Sequence, residues 1–230
     1  MKLAIMQPYI FPYIGYWQLI NFVDTFVIYD DVNFIKKGYI NRNSILSNGK
    51  PHVFTLELIG ASQNKLIHNI DIGNNAQKIQ KTLTHAYTKA PEYNHISPLI
   101  QDILENSEKN LARFLGTSIE KISDYLGIET KIIYSSDIEK NCNLNGQEKI
   151  LDICKRLKTS NYVNAIGGIN LYDKERFTKE GIELSFLDSE IVEYKQNEGD
   201  FIPYLSIIDV MMFNDKNKVL AMLNSFKLNK

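Results

Sequence analysis

Cysteine is scarce in this chain: Cys142 and Cys154 are the two thiols in 230 residues, no CxxC pair exists, and the four histidines are scattered. That pattern argues against a structural zinc site and a disulfide scaffold, and it fits a reducing compartment. An excess of one charge is missing too, with Lys+Arg 26 against Asp+Glu 27 and a formal net charge of −1. Such a balance supplies no overall drive toward nucleic acid or an anionic membrane, and neither is expected as a partner. No apolar run reaches membrane-spanning length. The first run, "LAIM", is interrupted by Gln7 and Pro8 before it could become the core of a signal peptide. Repeats, low-complexity tracts and linkers rich in Pro, Gly or Ser are absent as well. The expectation is a cytoplasmic protein folded as a single domain over residues 1–230.

Hydrophobic residues make up 44% and charged residues 23%, enough for an ordinary core. "KLAIM" reads as a buried strand, Gly15 to Val23 as a helix, and "DTFVIYDDV" as a second buried strand. Strand, helix, strand predicts a parallel, right-handed crossover. "RNSILSNGKPHVFTLEL" reads as a hairpin turning at "SNGK". Helical spacing then runs from Gln77 to Tyr125, broken at Pro91 and capped by Gly127, which predicts a helical insertion at about 75–127. After it come the strand "TKIIYSS", a helix over Glu148–Leu157, and the strands "NYVNA" and "IELSFLD". Helices in "YLSIIDVMMF" and "KVLAMLNSF" close the chain. The alternation predicts an α/β fold with a mostly parallel, Rossmann-like sheet.

Ligands of open α/β sheets bind at the carboxyl ends of the strands. There the sequence places "MQPYIFPYIGYWQLI", an unusual connection between a first strand and a first helix. Prolines such as Pro8 pre-order a loop, so a ligand need not. Gly15 at the helix start allows close backbone approach, and free N–H groups there attract phosphate. Tyr9, Tyr13 and Tyr16, with Gln7 beside them, offer flat faces and hydroxyls to a base or sugar, or else they pack as core.

Asp30 and Asp31 end the second strand and alternate across it, so one should face the crevice. A carboxylate there can bind Mg²⁺, accept an amine proton, or pair with Lys37 or Arg42. Arg42 between Asn41 and Asn43 makes a donor cluster suited to phosphate or carboxylate. His85 sits on an amphipathic helix, as a base or as a surface residue. Asn164, Gly167 and Gly168 end the next strand. Gln196, Ser206 and Asp209 gather near a helix start, for a ligand or for capping.

"MQPYIFPYIGYWQLI", "DTFVIYDDVNFIKKGYINRN", "HAYTKAP", "YVNAIGGINLYD" and "EYKQNEGDFIPYLSIIDVMMFN" together resemble the WbqC-like protein family, over essentially the whole chain. The resemblance implies a role in bacterial surface polysaccharide, such as O-antigen. The reaction it implies is amide formation between an amino acid such as glycine and the amine of a nucleotide-linked amino sugar, these two being the expected partners. On that reading Gln7, Pro8, Tyr9, Tyr13, Gly15 and Tyr16 contact substrate, as do Asn41, Asn43, Asn164, Gly167, Gly168, Gln196, Ser206 and Asp209. Asp30, Asp31, Lys37, Arg42 and His85 would carry the chemistry. Cofactors stay open, ATP and Mg²⁺ among them, as does a homodimer.

A looser likeness runs to the HxGH nucleotidylyltransferases, whose strand-to-helix turn holds the phosphates of ATP. Here Tyr16 stands at the second histidine position, and Tyr13 or Ile14 at the first. Without those imidazoles the usual stabilisation of the phosphate transition state is missing. Two alternatives therefore accompany the enzyme reading: an accessory protein that binds a nucleotide sugar without turnover, and a nucleotidylyltransferase-like enzyme.

Overall fold

The computed structural model describes residues 1–197 and 199–229. Glu198, inside "EYKQNEGD", lies outside them.

The five apolar strand segments read from the sequence form one sheet. They are β1 (Lys2–Met6), β2 (Thr25–Ile28), β7 (Lys131–Tyr134), β8 (Asn161–Ala165) and β9 (Glu183–Ser189). All five run parallel. A sixth strand, β10 (Phe226–Asn229), pairs antiparallel with β9 and makes the sheet mixed. The order is β10-β9-β8-β1-β2-β7, so its direction reverses between β1 and β8.

Helices cover both faces, which is why Leu3, Ala4 and Ile5 of β1 are all buried. Ala4 points to α1 (Ile14–Phe22) and to a large core with α2 (Ala76–Tyr87), α3 (Tyr93–Leu104), α4 (Leu111–Leu126), α7 (Ile207–Phe213) and α8 (Lys216–Met222). Leu3, Ile5 and Val27 point the other way, to α5 (Gly146–Arg156) and Phe177 of α6 (Lys174–Lys179). Burial in this second core pushes the Cys154 thiol up to about 12, which suits a packing residue rather than a nucleophile. Cys142 is exposed, and both cysteines are free.

Two small ladders branch off the main sheet. The predicted hairpin is β3 (Arg42–Ser47) with β4 (Lys50–Thr55), turning at Asn48 (φ 51°) and Gly49 (φ 67°). Two successive positive φ values are what a tight two-residue hairpin turn needs. The second pairs β5 (Leu58–Ile59) with β6 (Asp71–Ile72). Gly127 ends α4 at φ 77°, as its position predicts.

The C-terminus differs from expectation. The sequence closes on helices, but α8 stops at Met222 and the chain returns as β10. Its residues are half-exposed or exposed, so no buried-strand pattern marks it. Among the described residues no helix is long and apolar enough to cross a membrane.

Candidate functional site

The stretch joining β1 to α1 cannot join the ladder, so its polar backbone must be satisfied elsewhere. Asn43 Nδ2 donates to the carbonyls of Ile10 (3.1 Å) and Phe11 (2.7 Å). Ser206 Oγ donates to Phe11 O at 2.8 Å, and Trp17 Nε1 to Pro12 O at 3.1 Å. The Ile207 N–H reaches Pro12 O at 3.0 Å, while Ile10 N–H donates to Ile40 O at 3.1 Å. These bonds hold Phe11 at φ 44°, a conformation disfavoured for a bulky side chain. A loop fixed so heavily, with strain in it, is a platform.

On the platform stands a cup of about 260 Å³, lined by Tyr9, Pro12, Tyr13, Tyr39, Asn43 and Tyr204. Its rings are tilted against one another, with centroids 6.1 Å apart for Tyr9–Tyr39 and 6.2 Å for Tyr13–Tyr204. Burial, then neighbouring phenols, pushes the Tyr9 hydroxyl above its ordinary value. For Tyr13 burial again comes first, followed by Tyr204 and the carboxylate of Asp188. Tyr39 and Tyr204 are 61% and 66% exposed. Both belong to segments with backbone strain, at Lys37 (φ 62°) and at Tyr204 itself (φ 61°).

Gly15 and Tyr16 serve this cup from beneath. A Cβ on Gly15 would lie 2.5 to 2.6 Å from three atoms of the Tyr13 side chain, so the missing methyl is what lets that ring lie over the start of α1. Gly15 thus faces a tyrosine ring. Gly15→Ala is expected to displace Tyr13 and destabilise the fold by about 1–3 kcal/mol, despite alanine's higher helix propensity. A melting curve no lower than wild type would show that the ring relaxes freely. Tyr16 is core, its hydroxyl donating to Gln7 O at 3.0 Å. Pro8 is buried beside it.

The two aspartates after β2 part to opposite faces of the sheet. Asp30 is fully buried; its oxygens accept from Ser136 N–H (2.9 Å) and Ser136 Oγ (2.6 Å), which clamps β2 to the end of β7. His68 Nδ1 lies 3.9 Å from Asp30, outside hydrogen-bond range, and finds no other partner. Asp31 pairs with Lys140 (2.8 Å) and Lys149 (3.1 Å), not with Lys37 or Arg42. Arg42 instead closes its own turn, donating to Gly38 O at 3.2 Å and to Lys37 O. Lys37 is exposed. Asn41 Nδ2 donates to Leu56 O at 2.8 Å.

The remaining candidates spread over three further places. His85 lines a separate surface depression with Lys89 and Gly49. Asn164 is buried, donating to the hydroxyls of Tyr162 (3.3 Å) and Tyr172 (3.0 Å), and Gly168 leaves room for its amide. Gly167 borders open space. Gln196 and Asp209 share a buried network with Tyr87 and Tyr194, and Ser206 caps α7. Among the described residues no group of three His, Cys, Asp or Glu side chains gathers to hold a metal.

The fold therefore brings Tyr9, Tyr13 and Asn43 together in one cavity, with Gly15 and Ser206 supporting it. Tyr39 and Tyr204 complete it and were not singled out in the sequence. The one visible signal was a tyrosine beside a turn, in "KKGYI" and "IPYL".

The sequence pattern of the WbqC-like protein family matches residues 7–221, from the loop under the cup into α8. The chain belongs to the WbqC-like protein family. An uncharacterized protein of Mycobacterium tuberculosis, Rv1507c, is 30% identical over 219 residues, which is 93% of each chain. No solved structure matches. For this WbqC-like chain, then, the site must be read from its own geometry.

Proposed function

We propose that this WbqC-like protein joins an amino acid to the amine of a nucleotide-linked amino sugar, in the making of a bacterial surface polysaccharide. The carrying observation is the tyrosine cup on its pre-ordered loop, at the carboxyl end of β1 and beside the point where strand order reverses. Ligand crevices of Rossmann-like sheets lie at that kind of place, and aromatic walls suit ring-shaped polar ligands. For amide formation the sugar amine must arrive neutral and the donor's carboxyl activated, as an acyl anhydride or a thioester. The amine nitrogen bonds to the carboxyl carbon, the activating group leaves with its electron pair, and the surplus proton passes to solvent.

Supporting direct transfer, Cys154 is a buried packing residue with its thiol pushed up by burial, a poor acyl carrier. A nucleotidylyltransferase-like reaction finds less support. The Tyr13 ring covers Gly15 where ATP phosphates would approach the start of α1, so these residues do not fit that group.

One observation favours the accessory alternative, binding without turnover: among the described residues no Asp, Glu, His or Lys lines the cup. The experiment that separates the readings is thermal shift with UDP- and dTDP-amino sugars, followed by product analysis with a panel of activated amino acids. Binding to the native state alone raises the melting temperature, with about 2.7 kcal/mol expected at a hundredfold excess over Kd. A shift together with amide product supports transfer. A shift with no product across the panel supports the accessory role. No shift with any nucleotide sugar sinks both.

A further inference from the structure

We propose that the tyrosine cup is an ammonium subsite, built to take the primary ammonium group of a substrate. Its walls are four phenol rings, and ring faces attract cations through their quadrupole. Among the described residues the hydroxyls of Tyr9, Tyr13, Tyr39 and Tyr204 make no hydrogen bond, so their oxygens are free to accept. Asn43, the other polar liner, is occupied: its amide holds the loop carbonyls and its Oδ1 accepts from Ser44 N–H at 2.8 Å.

Charge around the cup points the same way. Among the described residues no Lys, Arg or His lines it. Arg42, one residue from Asn43, is turned onto the carbonyls of Lys37 and Gly38. The Asp188 carboxylate, near the carboxyl end of β9, adds to burial and Tyr204 in raising the Tyr13 hydroxyl. A phosphate or carboxylate in this cavity would find hydroxyl donors alone. An ammonium finds ring faces and hydroxyl oxygens.

Two sources of ammonium exist on the reading above, on which this assignment of source rests: the sugar amine and the α-amine of the amino-acid donor. Chemistry selects the donor. The sugar amine must lose its proton to attack, whereas the donor's α-amine must stay protonated or it competes as a nucleophile. A cage that favours the charged form does the second task and opposes the first.

The test uses the full chain and small probes at constant ionic strength, with binding followed by saturation-transfer NMR. Tetramethylammonium is expected to bind at least tenfold better than its neutral analogue tert-butanol. Tyr39→Ala and Tyr204→Ala, both at exposed rings, are expected to weaken it roughly tenfold. Tyr39→Phe, which keeps the ring, should retain most of the affinity. Equal binding of the two probes, or alanine variants that bind like wild type, overturns the subsite.

Glycine methyl ester displacing tetramethylammonium better than methyl glucosaminide supports the donor; the reverse order overturns that assignment. A nucleotide-linked amino sugar that stabilises the protein, while tetramethylammonium binds no better than tert-butanol, removes the subsite and leaves the proposed function standing. Cation binding with no response to any nucleotide sugar does the opposite.

Discussion

Asp31→Ala is expected to lower the melting temperature by roughly 6–20 °C at neutral pH. Two lysines from beyond β7 converge on this carboxylate, with side-chain exposures of 2% for Lys140 and 8% for Lys149. Each also leans on carbonyls: Lys140 on Ser135 and Ile138, Lys149 on Asp31 itself at 2.7 Å. The Lys149 ammonium further lies 5.1 Å from the Tyr29 ring centre. Dipoles and a ring cannot replace a full countercharge in so dry a place. Removing one partner of a buried pair typically costs about 3–5 kcal/mol, because the charge left behind is uncompensated.

The control is the combined change Asp31→Leu, Lys140→Met, Lys149→Met, which removes every charge at once and should recover much of the loss. Acid offers a second check. Burial pushes the Asp31 carboxyl up, but its lysine partners outweigh burial and hold it below the usual range. A depressed folded-state value means stability that is complete above the unfolded carboxylate value of ~4, and lost as pH falls through the folded value. The gap between wild type and Asp31→Ala should narrow below about pH 4. A gap that stays constant into acid would show that the pair is worth nothing to the fold.

Asp209→Ala is the second large effect, expected at about 3 kcal/mol or more, with the opposite pH signature. This fully buried carboxylate accepts from Tyr87 (2.7 Å), Tyr194 (2.7 Å) and Gln196 Nε2 (2.9 Å). The Tyr87 hydroxyl in turn accepts from Leu46 N–H at 3.0 Å, and Gln196 clasps Ile202 through both its N–H and its carbonyl. One side chain thus ties α2 and β3 to the segment that presents Tyr204 to the cup. Alanine leaves three donors without this acceptor, and for the two that are buried, on Tyr87 and Gln196, the loss is about 1–3 kcal/mol each. Tetramethylammonium affinity should fall with stability, even well below the melting point.

Burial raises the Asp209 carboxyl above its ordinary value, although its three donors pull the other way. A raised folded-state value contributes stability below the unfolded value of ~4 that is lost as pH rises through the folded one. The gap for this variant should therefore narrow as pH rises, where that for Asp31→Ala narrows as pH falls. Thermal melts of both variants from pH 3 to 8 check the pair. Parallel curves would refute the opposed environments.

Much of the fold was legible because local patterns carried it. Buried β-branched and aromatic runs marked β1, β2, β7, β8 and β9, Asn48-Gly49 marked the hairpin, and Pro91 and Gly127 bounded the helices. The misses have physical reasons. The strand β10 is a half-exposed edge, and α6 is six residues long, so neither carries a periodic signature. Asp31 was read toward Lys37 and Arg42, cations close to it in sequence. Its partners Lys140 and Lys149 lie more than a hundred residues further on.

The candidate site divides along the same line. By itself the sequence determined that an aromatic, proline-fixed loop would follow the first strand, because Pro and Tyr at those positions restrict the backbone locally. It also determined family membership, carried by motifs along residues 7–221. Tertiary structure alone decided that Tyr9 and Tyr13 meet Tyr39 and Tyr204 around one cavity, and that the Tyr13 side chain packs against Gly15. It also decided that both aspartates after β2 are engaged with protein groups. The reason is that rings and charges meet through sheet order and helix packing. Those contacts join residues up to about two hundred positions apart, and no local propensity encodes them.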